Sequence, residues 1–184
     1  MNHDDKNWKL ISRKVVYDGH PYIKISMDKV QLPNGKIIDD YHRIEVHNAV
    51  MLLVENEKKE LLVYKEYRHG VAEVSLTFPA GGIESNENIY DTAKRELLEE
   101  TGFEGKNFNV LNDYIVSGSY MFGELTFIKV TNISKKNNPV NKDIEDPEHI
   151  WMSYDQVKKA IQDKDFKALT YATAAMLWIL SDEK

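Results

Sequence analysis

The chain has 184 residues, 42% of them hydrophobic, a formal charge of −6 and no cysteine. That length fits one domain with an added subdomain. The missing cysteines exclude disulfides, thiolate metal sites and a cysteine nucleophile, and the acidic balance, with no long basic run against it, argues against non-specific binding to nucleic acid.

Residues 1–10 lack the apolar core of a signal peptide. The most apolar runs, 48–54 and 173–180, fall well short of the roughly 20 residues that a membrane span needs. These features predict a cytoplasmic protein without a membrane partner.

Residues 14–19, 20–31 and 36–46 read as three strands, rich in β-branched and aromatic residues that partly alternate with polar ones. Asp18-Gly19 and Pro33-Asn34-Gly35 are the turns between them. A three-stranded unit of this size has little core of its own and must dock on the rest of the chain or on a second copy. Residues 48–55 and 60–67 read as a hairpin joined by the polar turn 56–59, and the near-continuous apolar character of the first strand suits burial on both faces.

Residues 86–101 read as a helix capped by Ser85 or Asn86, with Glu87 and Asp91 in its first turns. Ile89, Ala93 and Leu97 form its buried stripe, and Gly102 ends it in a left-handed conformation. Glu96, Glu99 and Glu100 then fall on one side of adjacent turns. Like charges at that spacing cost about a few tenths of a kcal/mol per pair in an isolated helix. A cation would offset that repulsion, and oxygen ligands suit Mg²⁺, Ca²⁺ or Mn²⁺. Alone, the segment is also compatible with a solvated acidic helix.

Two further strands, 108–116 and 123–133, flank the loop Ser117-Gly118-Ser119-Tyr120-Met121-Phe122. Residues 135–147 form a polar loop with two prolines. A short strand at 149–153 leads to a helix at 153–164, capped by Ser153, with Val157, Ala160 and Ile161 on its apolar face. The last helix, 166–180, carries Leu169, Ala172, Met176, Ile179 and Leu180 on broadly one side, for core or dimer packing.

Gly81, Glu87, Arg95, Glu96, Leu97, Glu99, Glu100, Gly102 and Phe103 match every specified position of G-x5-E-x7-R-E-U-x-E-E-x-G-U, with U a bulky apolar residue. This resembles the signature of the Nudix hydrolase family. With background usage of about 7% per residue type, a chance match is on the order of one in 10⁸ per start position, which sets the solvated acidic helix aside. The resemblance implies an α/β fold, the Nudix α/β/α sandwich with a mixed sheet, over residues 48–184. The strands of residues 1–47 would be an added antiparallel sheet.

Leu32-Pro33-Asn34-Gly35-Lys36 in the second hairpin, and Tyr67-Arg68 followed by Pro79-Ala80-Gly81, resemble the ADP-ribose pyrophosphatase branch of that family. In that branch the N-terminal sheet builds a homodimer and part of the substrate pocket. The resemblance implies metal ligation by the Ala80 carbonyl, Glu96, Glu99 and Glu100, with Mg²⁺ as cofactor and Mn²⁺ as a substitute. It implies that Arg95 braces the loop and helix, and that Arg68 offers a charged fork to a diphosphate or ribose. Gly118 belongs to the substrate loop. An acid in the loop 135–147 would complete the catalytic set, with Glu145 first, Glu148 second, and Asp143 and Asp146 also available. His69 reads as a loop histidine, and Tyr120, Met121 and Phe122 either stack on a base or fill core.

Two departures from the branch stand out. Thr77 replaces the glutamate that commonly braces the signature arginine, so Arg95 must rely on Glu87 or on another geometry. Ser117 replaces the proline before Gly118, which keeps GDP-mannose and other nucleotide sugars close to ADP-ribose as substrates. NADH, dinucleotide polyphosphates and nucleoside triphosphates fit the upstream pattern less well. The expected reaction is hydrolysis of the diphosphate of a small nucleoside diphosphate derivative, most simply ADP-ribose to AMP and ribose 5-phosphate. Glu99, Glu100, Arg95 and Glu145 form its catalytic set. The alternative class is a non-catalytic sensor of such a ligand.

Overall fold

Strand β4 (Ala49–Val54) is buried along almost its whole length, so both of its faces must meet apolar partners. Met51 and Leu53 point into one core cluster with Val157, Ala160, Ala174, Ala175 and Trp178. Val50, Leu52 and Val54 point into a second cluster with Ala93 and Leu97. Alternation at period two thus splits one apolar run between two helical layers. The computed structural model describes residues 6–139 and 147–181.

The chain divides into two units, 1–48 with 115–124, and 49–114 with 125–184. In the first unit, β1 (Lys9–Gly19), β2 (Ile23–Gln31) and β3 (Ile37–Glu45) form the antiparallel sheet expected from the sequence. The turn before β3 is closed by Gly35 N–H donating to the Leu32 carbonyl at 2.9 Å. Arg13 of β1 faces Asp28 of β2 in register and donates to both carboxylate oxygens, at 2.6 and 2.8 Å. Those hydrogen bonds hold the Asp28 carboxyl below its ordinary range, against the opposing effect of burial. Residues 115–124 belong to this unit as a return loop, and Ile44 of β3 pairs with Met121 in parallel.

In the second unit β4 pairs in parallel with β9 (Met121–Lys135) and antiparallel with β7 (Ala80–Gly82), while β8 (Phe103–Ser117) pairs with β9. A three-stranded sheet orders β10 (Glu148–Met152), β5 (Leu61–Arg68) and β6 (Glu73–Thr77). Helix α1 (Ile89–Glu96) packs on one face, and α2 (Tyr154–Gln162) and α3 (Leu169–Ser181) on the other. This is the expected α/β arrangement with a mixed sheet. Among the described residues, no helix is long and apolar enough to cross a membrane.

Three local expectations are corrected. The hairpin expected over 48–67 has its two strands and its turn, but β4 and β5 meet only at a single bridge, Glu55 to Leu61, and continue into different sheets. β4 over almost its whole length and β5 over Leu61–Tyr64 are buried on both faces, so each sits between two other strands of its own sheet and gains more from distant neighbours than from the other. Helix α1 is capped by Asn88, whose side chain accepts from Tyr90 N–H at 2.9 Å and Asp91 N–H at 3.1 Å, and not by Ser85 or Asn86. In α3 the buried residues are Ala174, Ala175 and Trp178; of the expected stripe Ala172 and Ile179 are partly buried and pack against the core, whereas Leu169, Met176 and Leu180 are exposed. The two alanines allow close approach, and the indole beside them has a polar partner in the core.

That partner is Glu55, whose carboxylate is only 1% exposed. It accepts from Trp178 Nε1 at 2.9 Å and pairs with Lys59 and Lys129, both at 2.7 Å. Burial alone would raise the Glu55 carboxyl, but the hydrogen bonds from Lys129, Lys59 and Trp178 outweigh it and hold the group below its ordinary range. Glu55→Ala strands a buried lysine and should cost about 3–5 kcal/mol in chemical denaturation near neutral pH. Because the folded-state pKa is depressed, this stabilisation is present above the ordinary carboxyl range and lost as pH falls through the depressed value. The gap between parent and variant should therefore close in acid, and a gap independent of pH would contradict the account.

Candidate active site

The helix that begins at Asn88 does not stay an α-helix. After Glu96 it widens into a π-helical turn, Leu97–Thr101, and ends at Gly102 with φ of 70°. Glu99 and Glu100 lie in that turn and Glu96 is the residue before it. Single π turns are rare and occur mostly at functional positions. Gly102 is required twice over, by its left-handed φ and because a Cβ there would lie 2.2 Å from the Asn137 carbonyl oxygen.

Ahead of the helix, β7 places Ala80 and Gly81 against these carboxylates. A Cβ on Gly81 would lie 1.8 Å from Glu96 Oε1, so only glycine lets the carboxylate rest on the backbone. Glu96 itself is 9% exposed. Glu100 Oε2 accepts from Ala80 N–H at 3.3 Å. The backbone of Ala80–Gly81 and the carboxylates of Glu96 and Glu100 therefore meet in one place.

Arg95 ties this place together. It donates through Nε to Glu87 Oε1 at 2.8 Å and through Nη2 to Glu87 Oε2 at 2.9 Å and to the Gly82 carbonyl at 3.1 Å. Its Nη1 donates to Glu96 Oε1 at 2.5 Å and stands 3.8 Å from Glu99. The hydrogen bonds it donates to Glu87 raise the guanidinium pKa further above an already high value. In turn the Arg95 hydrogen bonds hold the Glu87 carboxyl down at about 2, with Thr92 adding to the effect and burial opposing it. Glu87 lies before the first turn of α1 and not within it, and there it replaces the brace that Thr77 cannot provide. Thr77 instead donates to Glu66 Oε1 at 2.6 Å, and the same oxygen receives Arg68 at 3.3 Å.

The remaining candidates lie elsewhere. Arg68 ends β5 with its side chain 40% exposed. Gly118 belongs to the first unit, where it lines a cavity of about 370 Å³ with Asp28, Tyr41 and Arg43. Glu148 opens β10 opposite Lys65 and is exposed. Asp143, Glu145 and Asp146 lie outside the described residues. Sequence reading missed Glu66, which has no motif around it, and the π turn, whose width leaves no trace in residue spacing.

Among the described residues, no three acidic or histidine side chains close into a ready metal cage. The donors present are nonetheless hard oxygens, with the Glu96 and Glu100 carboxylates against the Ala80–Gly81 backbone. Mg²⁺ characteristically keeps several waters and takes one or two carboxylates together with substrate phosphates, so this set fits such an ion. The close approach at Gly81 also sets a test. Gly81→Ala should displace the Glu96 carboxylate and lower turnover of the expected diphosphate hydrolysis on the order of 10²-fold, with the thermal midpoint little changed. Parent-level turnover in steady-state assays would contradict it.

Comparison with known proteins gives the family. The family model described as the nucleoside diphosphate sugar hydrolase N-terminal domain matches residues 8–44. The chain is similar to a protein named methanol dehydrogenase activator from Bacillus methanolicus, 27% identical over 158 residues, which cover 85% of this chain and 84% of that protein. It is also similar to an ADP-ribose pyrophosphatase from Bacillus subtilis strain 168, 29% identical over 113 residues, covering 61% of this chain and 60% of that protein. A crystal structure of an ADP compounds hydrolase shares the fold, with a TM-score of 0.79 over 94% of this chain and 92% of that chain, at 19% identity. The family model described as the NUDIX domain matches residues 45–172, which include the whole of the site built from Ala80 to Gly102, and the chain belongs to the Nudix hydrolase family.

Proposed function

We propose that this chain hydrolyses the diphosphate bond of a nucleoside diphosphate joined to a sugar, with ADP-ribose the first candidate and Mg²⁺, or Mn²⁺ in its place, as cofactor. The observation that carries this reading is the convergence of the Glu96 and Glu100 carboxylates on the Ala80–Gly81 backbone, with Arg95 bracing both segments. The N-terminal match to nucleoside diphosphate sugar hydrolases and the similarity to an ADP-ribose pyrophosphatase support the substrate class.

Water adds to one phosphorus, the bond from that phosphorus to the bridging oxygen breaks, and AMP and ribose 5-phosphate leave. A bound divalent cation supplies charge neutralisation at the diphosphate oxygens and acidifies the attacking water. Glu96, Glu99, Glu100 and the Ala80 carbonyl are its proposed ligands. One of these carboxylates, or Glu145 or Glu148, accepts the proton of the attacking water. Arg95 is held by four protein oxygens around it and positions the loop and helix, while Arg68, half exposed at the end of β5, faces the substrate anion. Gly118 lines the substrate loop.

We also propose a cytoplasmic homodimer in which residues 1–47 are the dimerisation module and residues 48–184 the hydrolase domain. Strand β1 has no buried residue, and Leu10, Val15, Val16 and Tyr17 are between 44% and 56% exposed, more apolar surface than a lone sheet edge needs.

One observation favours a second reading. A relative aligned over 84% of its own length is named an activator of methanol dehydrogenase, so a role exerted on a partner oxidoreductase is the alternative. A panel of ADP-ribose, GDP-mannose, UDP-glucose, NADH, diadenosine polyphosphates and deoxynucleoside triphosphates, read by phosphate release after phosphatase treatment, separates the readings. The expected result is preference for ADP-ribose or a nucleotide sugar, abolished by EDTA. Glu99→Gln and Glu100→Gln should each lower that turnover by about 10²-fold or more, with the fold intact by circular dichroism. Parent-level turnover in both variants would remove these carboxylates from the mechanism, and no turnover on any member would move weight to the partner role.

A further inference from the structure

An α-helix leaves its last four carbonyls without partners inside the helix, and the partial negative charge gathered there disfavours nearby anions. The end of α1 carries both burdens at once. Glu96 ends α1 and Glu99 and Glu100 lie in the π turn that follows; Lys94 and Arg95 stand in the last turn of α1, but the π turn contains no basic residue of its own. The π geometry adds a wide, poorly self-supporting turn at the same place.

Side chains from two distant strands meet these burdens. Thr101 Oγ1 donates to the Leu97 carbonyl, and Gly102 N–H donates to the Leu98 carbonyl at 2.9 Å. Tyr64 of β5 donates its hydroxyl to the Glu100 carbonyl at 3.3 Å. Lys135, at the end of β9, donates from Nζ to the Thr101 carbonyl at 2.8 Å. The same ammonium stands 4.8 Å from the centre of the Phe103 ring, a cation–π contact that fixes its direction. Tyr64 is only 4% exposed, and its ring stacks on His149 across the β5–β10 pair with centroids 4.4 Å apart and planes 12° from parallel. Beyond the turn, the Gly102 carbonyl accepts from Lys136 N–H at 2.9 Å and Asn137 N–H at 3.2 Å, which fixes the chain just after Lys135 to the helix end.

We propose that Lys135 is a positioning residue for the carboxylate turn, with Tyr64 as its second anchor: together they hold the backbone of Glu100 and Thr101 so that the Glu100 carboxylate keeps its place against Ala80. This rests on reading those carboxylates as divalent-cation ligands. Lys135 touches no reacting atom in this role. Its cation supplies a positive charge at the C-terminal end of the π turn, which has no basic residue of its own, and its hydrogen bond occupies the Thr101 carbonyl that would otherwise let the turn relax.

The role has a signature that simple electrostatics does not share. Removing a positive charge near three carboxylates should tighten divalent-cation binding if only the field matters, whereas loss of a clamp should weaken it. The test is Mn²⁺ binding without substrate, followed by electron paramagnetic resonance, for the full chain and for Lys135→Met, Lys135→Arg and Tyr64→Phe, well below each thermal midpoint. Lys135→Met is expected to weaken Mn²⁺ binding by about 10- to 100-fold, Lys135→Arg to restore most of it, and Tyr64→Phe to weaken it in the same direction. With the preferred substrate, kcat should fall at saturating metal while KM changes little. Mn²⁺ affinity in Lys135→Met equal to or tighter than the parent overturns the proposal. Should that variant not fold, unchanged affinity in Tyr64→Phe overturns it instead. A parent chain that neither binds Mn²⁺ nor hydrolyses any member of the panel overturns both this inference and the functional reading. A normal parent with unaltered variants overturns the clamp alone.

Discussion

The Glu96 carboxylate rests on the α-carbon of Gly81, and the rest of the site depends on that close approach. It is possible only because position 81 has no side chain, and it brings the end of α1 to the strand that precedes it. Once the two are in contact, one guanidinium can reach across the loop between them. Arg95 does so, taking Glu87 and the Gly82 carbonyl on the loop side and Glu96 on the helix side. A permanently charged, planar group with several donors in fixed directions suits this task in a way that lysine does not. The depressed Glu87 carboxyl shows the same bond from its other end, and the brace stays ionised throughout the pH range in which a phosphate anhydride hydrolase would work.

The anionic turn is therefore held from two sides. Arg95 faces its open end, while Lys135 and Tyr64 occupy backbone carbonyls behind it. Holding carboxylates close together without a bound cation costs free energy, and a structure that spends cations on bracing keeps the carboxylate oxygens from drifting apart. No closed cage forms among the described residues. An ion that completes its shell with water and substrate oxygens has no need of one, and a cage would compete with the diphosphate for the same positions.

Much of this was legible from local order. The signature residues from Gly81 to Phe103 carry their spacing in one continuous segment, so the contacts of Arg95 with Glu87 and Glu96 follow from near neighbours in the chain. Strand β4 announced its burial on both faces by an unbroken apolar run, and Ser153 announced the start of α2, where its side chain and that of Gln156 form a reciprocal cap. What sequence order hid were choices between partners. Residues 48–67 have the pattern of a hairpin, yet β4 and β5 separate because each is apolar enough to centre its own sheet. In α3 hydrophobicity alone marked Ala172 and Ile179, which pack on the core, together with Leu169, Met176 and Leu180, which are exposed, and the hydrogen bond from Trp178 to Glu55, 123 residues apart, helps fix the orientation. Glu66 beside Thr77 and Lys135 behind Thr101 are long-range pairings of the same kind, with no spacing rule to reveal them.

The central claim is that Glu96, Glu99, Glu100 and the Ala80 carbonyl form the seat of a divalent cation that works on a diphosphate. Anomalous diffraction from crystals grown with Mn²⁺ and a non-hydrolysable ADP-ribose analogue tests it most directly. The account predicts Mn²⁺ density coordinated by at least two of these carboxylates and by diphosphate oxygens, with Arg95 still engaged by Glu87. Mn²⁺ bound away from Glu96, Glu99 and Glu100, with the analogue's diphosphate held by other residues, would contradict it.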